Sequence, residues 1–225
     1  RIGVRIYDLL CGGRNFQPSR GFTHEETQQM LPALKAENLR GSVRYFDALT
    51  NDARLVVDTL RSAAKHAATV LNYTYFHDAC REGGAWTCTV EDRVTGTRHE
   101  VRARAIINAT GPWADRLPHS AVKLRLTKGI HLVIDRARLP VPSAVVITEG
   151  KRLLFVLPWG GRVILGTTDT DYHGAPEDVT VGASDISYVL HSVNKFFPSV
   201  ALRGGDVVSS WAGLRPLVAN PDGSP

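Results

Sequence analysis

Residues Leu153–Tyr172 read LLFVLPWGGRVILGTTDTDY, and the fold turns on how this stretch is read. Two apolar runs rich in Val, Ile, Leu and Phe flank Gly160-Gly161. Glycine accepts the positive φ of tight primed turns, so the pattern predicts a β-hairpin. The second run then changes character. Val163-Ile164-Leu165 gives way to Gly166, the polar run Thr167-Thr168-Asp169-Thr170-Asp171, and Tyr172. A buried strand that ends this way presents backbone, hydroxyls and carboxylates at one edge of a core. Read locally, the segment is a polar turn with Asp side chains bonding backbone N–H groups, or the floor of a site.

Outward from the hairpin, the texture is antiparallel β. Arg125–Ile134 is a long alternating strand: Leu126, Ile130, Leu132 and Ile134 share one parity, and Thr127, Gly129, His131 and Val133 the other. His131 and Thr127 therefore point the same way, beside a glycine that leaves space. Ala144–Thr148 is a further strand, turned by Glu149-Gly150. Beyond the polar connection 171–182, Ser184 is expected to cap a helix with Ile186, Val189, Leu190, Val193 and Phe196 on its apolar face, stopped by Pro198. A last strand, Asp206–Arg215, carries Ser209, Trp211, Gly213 and Arg215 on one parity.

The first half reads differently. Ile2–Leu10 fits the tail of a helix, and Thr23 with Glu26 forms a capping-box start. Ser42–Phe46, a helix capped by Asn51-Asp52 with Val56, Leu60, Ala63, Ala64 and Ala67 on one face, and Thr69–Tyr73 make a strand–helix–strand unit. That order argues for a partly parallel layer. A β-meander follows, with Gly83-Gly84 turning Tyr75–Arg81 into Trp86–Asp92 so that Ala79 faces Cys88 and His77 faces Val90; Thr97–Arg102 is its third strand. Ala103–Ile107, a short apolar run, leads into Asn108-Ala109-Thr110-Gly111-Pro112. This is either a ligand-approach turn at the end of an α/β strand or a tight turn opening a helix at Pro112.

The composition narrows the function classes. The chain has 225 residues, 43% hydrophobic and 22% charged, enough for two small domains. The 27 basic and 22 acidic residues are interspersed, which leaves a net charge of +5 without a basic block, so no nucleic-acid partner is expected. Cys11, Cys80 and Cys88 lack C-x-x-C spacing, which points to free thiols in a reducing compartment and to no metal site. No apolar run approaches a membrane span.

Six motifs, in order, carry a family resemblance: Tyr45-Phe-Asp-Ala48 with Asn51-Asp-Ala-Arg-Leu55, Asn108–Asp115, Thr127-Lys-Gly-Ile-His131, Pro158-Trp159, Gly166–Tyr172, and Trp211-Ala-Gly-Leu-Arg-Pro-Leu217. Together they resemble the FAD-dependent, quinone-linked glycerol-3-phosphate dehydrogenases over essentially the whole chain. The resemblance implies a mixed α/β (α+β) fold. Residues 1–44 are expected to be a connector of helix and loop, and 45–120 a partial, Rossmann-like FAD-binding domain with the meander. Residues 121–225 are expected to be a truncated substrate domain on a mixed, largely antiparallel sheet with helices. It implies oxidation of sn-glycerol 3-phosphate to dihydroxyacetone phosphate, hydride transfer to FAD, electrons passed to quinone, and a cytoplasmic protein peripheral to the inner face of the cell membrane. A homodimer is a further expectation.

For the residues, the resemblance implies His131 as base and Arg215 as partner of the phosphate or developing oxyanion. Lys128, Thr168, Asp169 and Tyr45 are expected on the substrate side. Ala109, Thr110, Gly111, Gly166 and Thr167 are expected against the cofactor. The family's glycine-rich pyrophosphate loop, G-x-G-x-x-G, is absent from these residues, so the chain reads as an internal fragment that binds FAD weakly or not at all. Two alternatives stand beside this reading: a related FAD-dependent amine or hydroxy-acid oxidase, and a non-catalytic binding domain that retains the fold.

Overall fold

The structure, a computed structural model, describes residues 2–149 and 152–219. The expected turn residue Gly150 lies outside the described residues. Two compact units divide the chain. One joins the segment up to Phe46 with the segment from Leu124 onward, and the other is Asp47–Lys123.

The first unit is built on a six-stranded sheet. Its long strand β6 (Leu124–Asp135) has β11 (Val207–Val218) antiparallel along one edge. The other edge is shared: β9 (Arg162–Gly166) pairs with its second half and β10 (Thr170–Tyr172) with its first half. β8 (Arg152–Trp159) and β7 (Val145–Glu149) complete the order outward from β9. The expected hairpin forms, with Gly160 at φ +56° in its turn. The other parity reading also holds: Ile130, Leu132 and Ile134 are fully buried, with Val163, Leu165, Val156 and Leu154 from the neighbouring strands. Helix α4 (Ala183–Phe196) covers this face with Val189, Leu190 and Val193. Each such side chain contributes about 1.5–3 kcal/mol when taken out of water, so this face carries the unit's stability. The opposite face, with Thr127, Gly129 and His131, is left for other work.

The start of α4 is shifted from expectation. Gly182 is the N-cap, and Ser184 lies within the first turn. Asp185 Oδ2 takes the capping role instead, accepting from the Gly182 N–H at 2.9 Å.

The segment expected as a connector contains α1 (Ile2–Leu10), α2 (His24–Met30), and β1 (Arg20–Phe22) paired antiparallel with β2 (Ser42–Arg44). The Thr23–Glu26 capping box is formed. Leu31, Ala33 and Leu34 pack against the core of the large sheet, and the Lys35 N–H donates to the Phe196 carbonyl at 2.8 Å.

The second unit contains α3 (Asp52–Lys65), capped by Asn51 as expected, and the meander β3 (Thr74–Glu82), β4 (Ala85–Asp92) and β5 (Arg98–Ala103). Two readings are corrected. Thr69–Tyr73 is not a strand, and Ala103–Ile107 contributes only the last residue of β5, so no parallel pair forms among the described residues. A parallel strand depends on neighbours distant in sequence, and these segments have none here; Leu71 and Ile107 are exposed, as is the apolar side of α3. In the meander Ala79 does face Cys88, but Val90 faces Phe76. His77 sits in a bulge between Phe76 and Asp78, with Nε2 2.7 Å from Glu91 Oε2.

Candidate active site

The site is assembled by register. Across β6 and β11, His131 pairs with Trp211, Gly129 with Gly213, and Thr127 with Arg215. Across β6 and β9, His131 pairs with Gly166. Cross-strand partners share a face, so His131, Trp211, Arg215 and the glycines all lie opposite the α4 layer.

His131 is half-buried. Its imidazole stacks on the Trp211 indole with ring centroids 5.0 Å apart and planes 19° from parallel. Gly166 makes room for the ring, because a Cβ at that position would lie 2.5 Å from His131 Cδ2. Neither ring nitrogen has a hydrogen-bond partner among the described residues. Burial, and secondarily the positive charge of Arg215, push the imidazole below its ordinary 6.5. A neutral imidazole with free nitrogens is in the right state to accept a proton.

Arg215 is held by the loop that leaves the opening hairpin. Its Nη1 donates to the Thr168 carbonyl and to Asp169 Oδ1, each at 3.2 Å, and its Nη2 to Thr167 Oγ1 at 3.2 Å. Gly129 supplies the seat: a Cβ there would lie 2.7 Å from Arg215 Nη2 and 2.7 Å from Thr167 Oγ1. Beside Arg215, the Thr127 hydroxyl is buried and has no partner among the described residues.

Several residues expected at the site are occupied elsewhere. Thr168 is 3% exposed. Its hydroxyl accepts from the Ile130 N–H at 3.1 Å and donates to the Lys128 carbonyl at 3.3 Å. It thus satisfies the backbone of β6 where β9 has ended and β10 has not begun, a gap that would otherwise leave buried polar groups unpaired. Lys128 lies on the α4 face, not with His131. Its ammonium donates to Asp185 Oδ2 at 2.6 Å and to the Thr180 carbonyl at 3.4 Å, which ties β6 to the start of α4. Asp169 acts on Arg215. Gly166 and Thr167, expected against the cofactor, seat His131 and Arg215 respectively. Tyr45 stands edge-on to Tyr7, with centroids 6.1 Å apart.

Ala109, Thr110 and Gly111 belong to the second unit. The Thr110 hydroxyl donates to Asn108 Oδ1 at 2.8 Å, and Gly111 adopts φ +56° with open space around its Cβ position at the start of a single 3-10 turn containing Pro112. Backbone is therefore approachable at that glycine. Asp185 is not among the residues expected at the site. Trp211 is expected there only as a motif residue on the parity of Arg215; its partner across the sheet, His131, comes from the register.

The face opposite α4 combines a histidine with both ring nitrogens unbonded among the described residues, a fixed guanidinium and open space at Gly213, groups that can accept a proton and bind an anion. Residues 5–225 match the family of FAD dependent oxidoreductases (DAO), and the chain belongs to that family. It is 38% identical over 224 residues to the aerobic glycerol-3-phosphate dehydrogenase of Bacillus subtilis, covering 96% of this chain and 40% of the relative. It is 37% identical to the alpha-glycerophosphate oxidase of Enterococcus casseliflavus, covering all of this chain and 39% of that protein. The chain thus spans about two fifths of the length of these relatives. The crystal structure of glycerol-3-phosphate dehydrogenase from Bacillus halodurans, complexed with FAD, superposes with a TM-score of 0.80 at 37% identity over 88% of this chain and 42% of that one. Glycine oxidase from Geobacillus kaustophilus, at 23% identity and TM-score 0.66, shares the fold. The mixed α/β class and the family resemblance drawn from the motifs are both borne out. No described helix is long and apolar enough to cross a membrane.

Proposed function

We propose that this chain carries the substrate side of a flavin-dependent dehydrogenase that oxidises sn-glycerol 3-phosphate to dihydroxyacetone phosphate. The observation that carries the reading is His131, unpaired at both nitrogens among the described residues and stacked on Trp211, on one face with Arg215 held by three hydrogen bonds. Oxidation of a secondary alcohol removes a proton from oxygen and a hydride from carbon. FAD, when bound, supplies the hydride acceptor. His131 takes the hydroxyl proton. Arg215, with a planar fork of donors, binds the oxygen as charge develops there or the phosphate of the substrate. Asp169 and Thr167 fix the fork before substrate arrives, so orientation is not lost at the reacting step.

The residues present fit the cofactor. Gly213 has no heavy atom near its Cβ position, and the His131–Trp211 pair is partly exposed beside it. Ala109, Thr110 and Gly111 are separately proposed as cofactor contacts of the second unit, supported by their motif and by the approachable backbone at Gly111. Electron transfer to quinone, peripheral attachment to the inner face of the membrane, and a homodimer belong to the same proposal.

The test is dye-linked oxidation of glycerol 3-phosphate by the full-length, FAD-loaded protein. His131→Ala is expected to lower kcat/KM by about 10²–10⁴. Arg215→Ala is expected to lower it by about 10²–10³. Near wild-type activity in both would overturn the assignment. The similarity to the Enterococcus oxidase favours a second acceptor, molecular oxygen. Hydrogen peroxide formed in step with substrate consumption, without quinone, would decide for it.

A further inference from the structure

We propose that Trp211 is the positioning residue for His131 and takes the place a hydrogen-bonded carboxylate holds behind other histidine bases. The inference rests on the reading of His131 as proton acceptor. A histidine base needs a fixed ring plane and a partner that stabilises the imidazolium it becomes. Elsewhere a carboxylate or carbonyl on the second ring nitrogen supplies both. Here neither nitrogen is bonded among the described residues, and no carboxylate stacks on or bonds the ring. The charged groups around it are few. Arg215 on β11 opposes a positive imidazole, while Asp169 beyond it is bonded to that same guanidinium. Lys128 and Asp185 pair on the opposite side of the sheet. Gly166 on β9 brings no charge.

What remains is packing on both edges. The indole lies across β11 at 5.0 Å and 19°, and the Gly166 backbone closes in from β9, where a Cβ would lie 2.5 Å from the ring. The imidazole is wedged between them, which fixes its plane without using either nitrogen. Both nitrogens therefore stay available to substrate. The indole face also carries negative quadrupole and attracts a cation whose centre lies within about 6 Å. It stabilises the imidazolium against Arg215. Trp211 itself is 44% exposed, so it is not a core residue.

The experiment uses the full-length, FAD-loaded protein and its Trp211→Leu and Trp211→Phe variants. Two quantities are read: the pH profile of kcat and KM with glycerol 3-phosphate, and the pKa of His131 by NMR titration, assigned through His131→Gln. Leucine keeps apolar cover over the ring but removes the π face. Trp211→Leu is expected to lower the His131 pKa by about half a unit. It is expected to reduce kcat about tenfold with KM little changed. Trp211→Phe is expected to restore most of both. Melting temperature is expected to stay within about 2 °C, as for other surface substitutions. A His131 pKa that is unchanged or raised in Trp211→Leu overturns the inference, as does loss of activity that Trp211→Phe fails to rescue. Failure of the underlying reading shows separately, as full activity in His131→Gln.

Discussion

Gly129→Ala tests how Arg215 is held. The glycine lies in regular strand backbone, so alanine brings no conformational strain of its own. In a strand interior it is favoured over glycine by about 0.5–1 kcal/mol. The added methyl, however, would lie 2.7 Å from Arg215 Nη2, 2.9 Å from Nη1 and 2.7 Å from Thr167 Oγ1, where an ordinary contact begins at 3.4 Å. The guanidinium must withdraw by about 0.7 Å, and its three hydrogen bonds already stand at 3.2 Å, near the upper limit for N–H···O bonds. They fail together, because the methyl sits under both nitrogens. A misplacement approaching 1 Å at a group that aligns substrate costs on the order of 10² in rate. The measurement is kcat/KM for glycerol 3-phosphate beside melting temperature, for Gly129→Ala, Arg215→Ala and the double variant. The expected pattern is a kcat/KM about 10²-fold down in Gly129→Ala, melting shifted by only a few degrees, and a double variant no worse than Arg215→Ala. Activity above half of wild type, or fully additive losses in the double variant, would refute the seat.

Three further outcomes follow from the geometry. Thr168→Val removes the hydroxyl that serves the Ile130 N–H and Lys128 carbonyl, and is expected to cost about 1–3 kcal/mol in urea unfolding, with Thr168→Ser costing less. Lys128→Met leaves the Asp185 carboxylate, whose side chain is 8% exposed, without its cation. Denaturant titration is expected to show a loss of roughly 3 kcal/mol, with kcat/KM of the folded variant preserved. The folded-state His131 pKa lies below the ordinary 6.5, so its contribution to stability is complete above that value and is lost as pH falls toward the folded-state pKa. The acid limb of kcat/KM is accordingly expected below pH 6.5, and His131→Gln removes both effects.

Much of the first unit was legible because a β-strand writes its two faces into alternate residues. The parities of 125–134 and 209–215 separate the residues of the two faces without any knowledge of strand pairing. The Gly160-Gly161 turn fixed the hairpin between them. What alternation does not contain is the partner. The parity of Lys128 sets it on the face away from His131, but the Lys128–Asp185 pair spans 57 residues, and nothing local shows the carboxylate that holds it. Thr168 reads as a site hydroxyl until the missing rung of the ladder is seen. Thr69–Tyr73 and Ala103–Ile107 have apolar strand composition, but strand formation needs neighbours, and composition cannot show whether they are present. Of the site, His131, Arg215 and Asp169 lie together, while the stacking of Trp211 on His131 depends on the β6–β11 register, which parity alone does not contain.

The exchange of β9 for β10 along one edge of β6 has a mechanical consequence. Residues 167–169 are irregular backbone, yet they are clamped by strands on both sides and pinned midway by the Thr168 hydroxyl. A loop at a sheet's rim would have to be ordered anew each time it gripped an arginine. This one had its freedom removed when the sheet folded, so the Arg215 anchor is already as stiff as the sheet when substrate arrives.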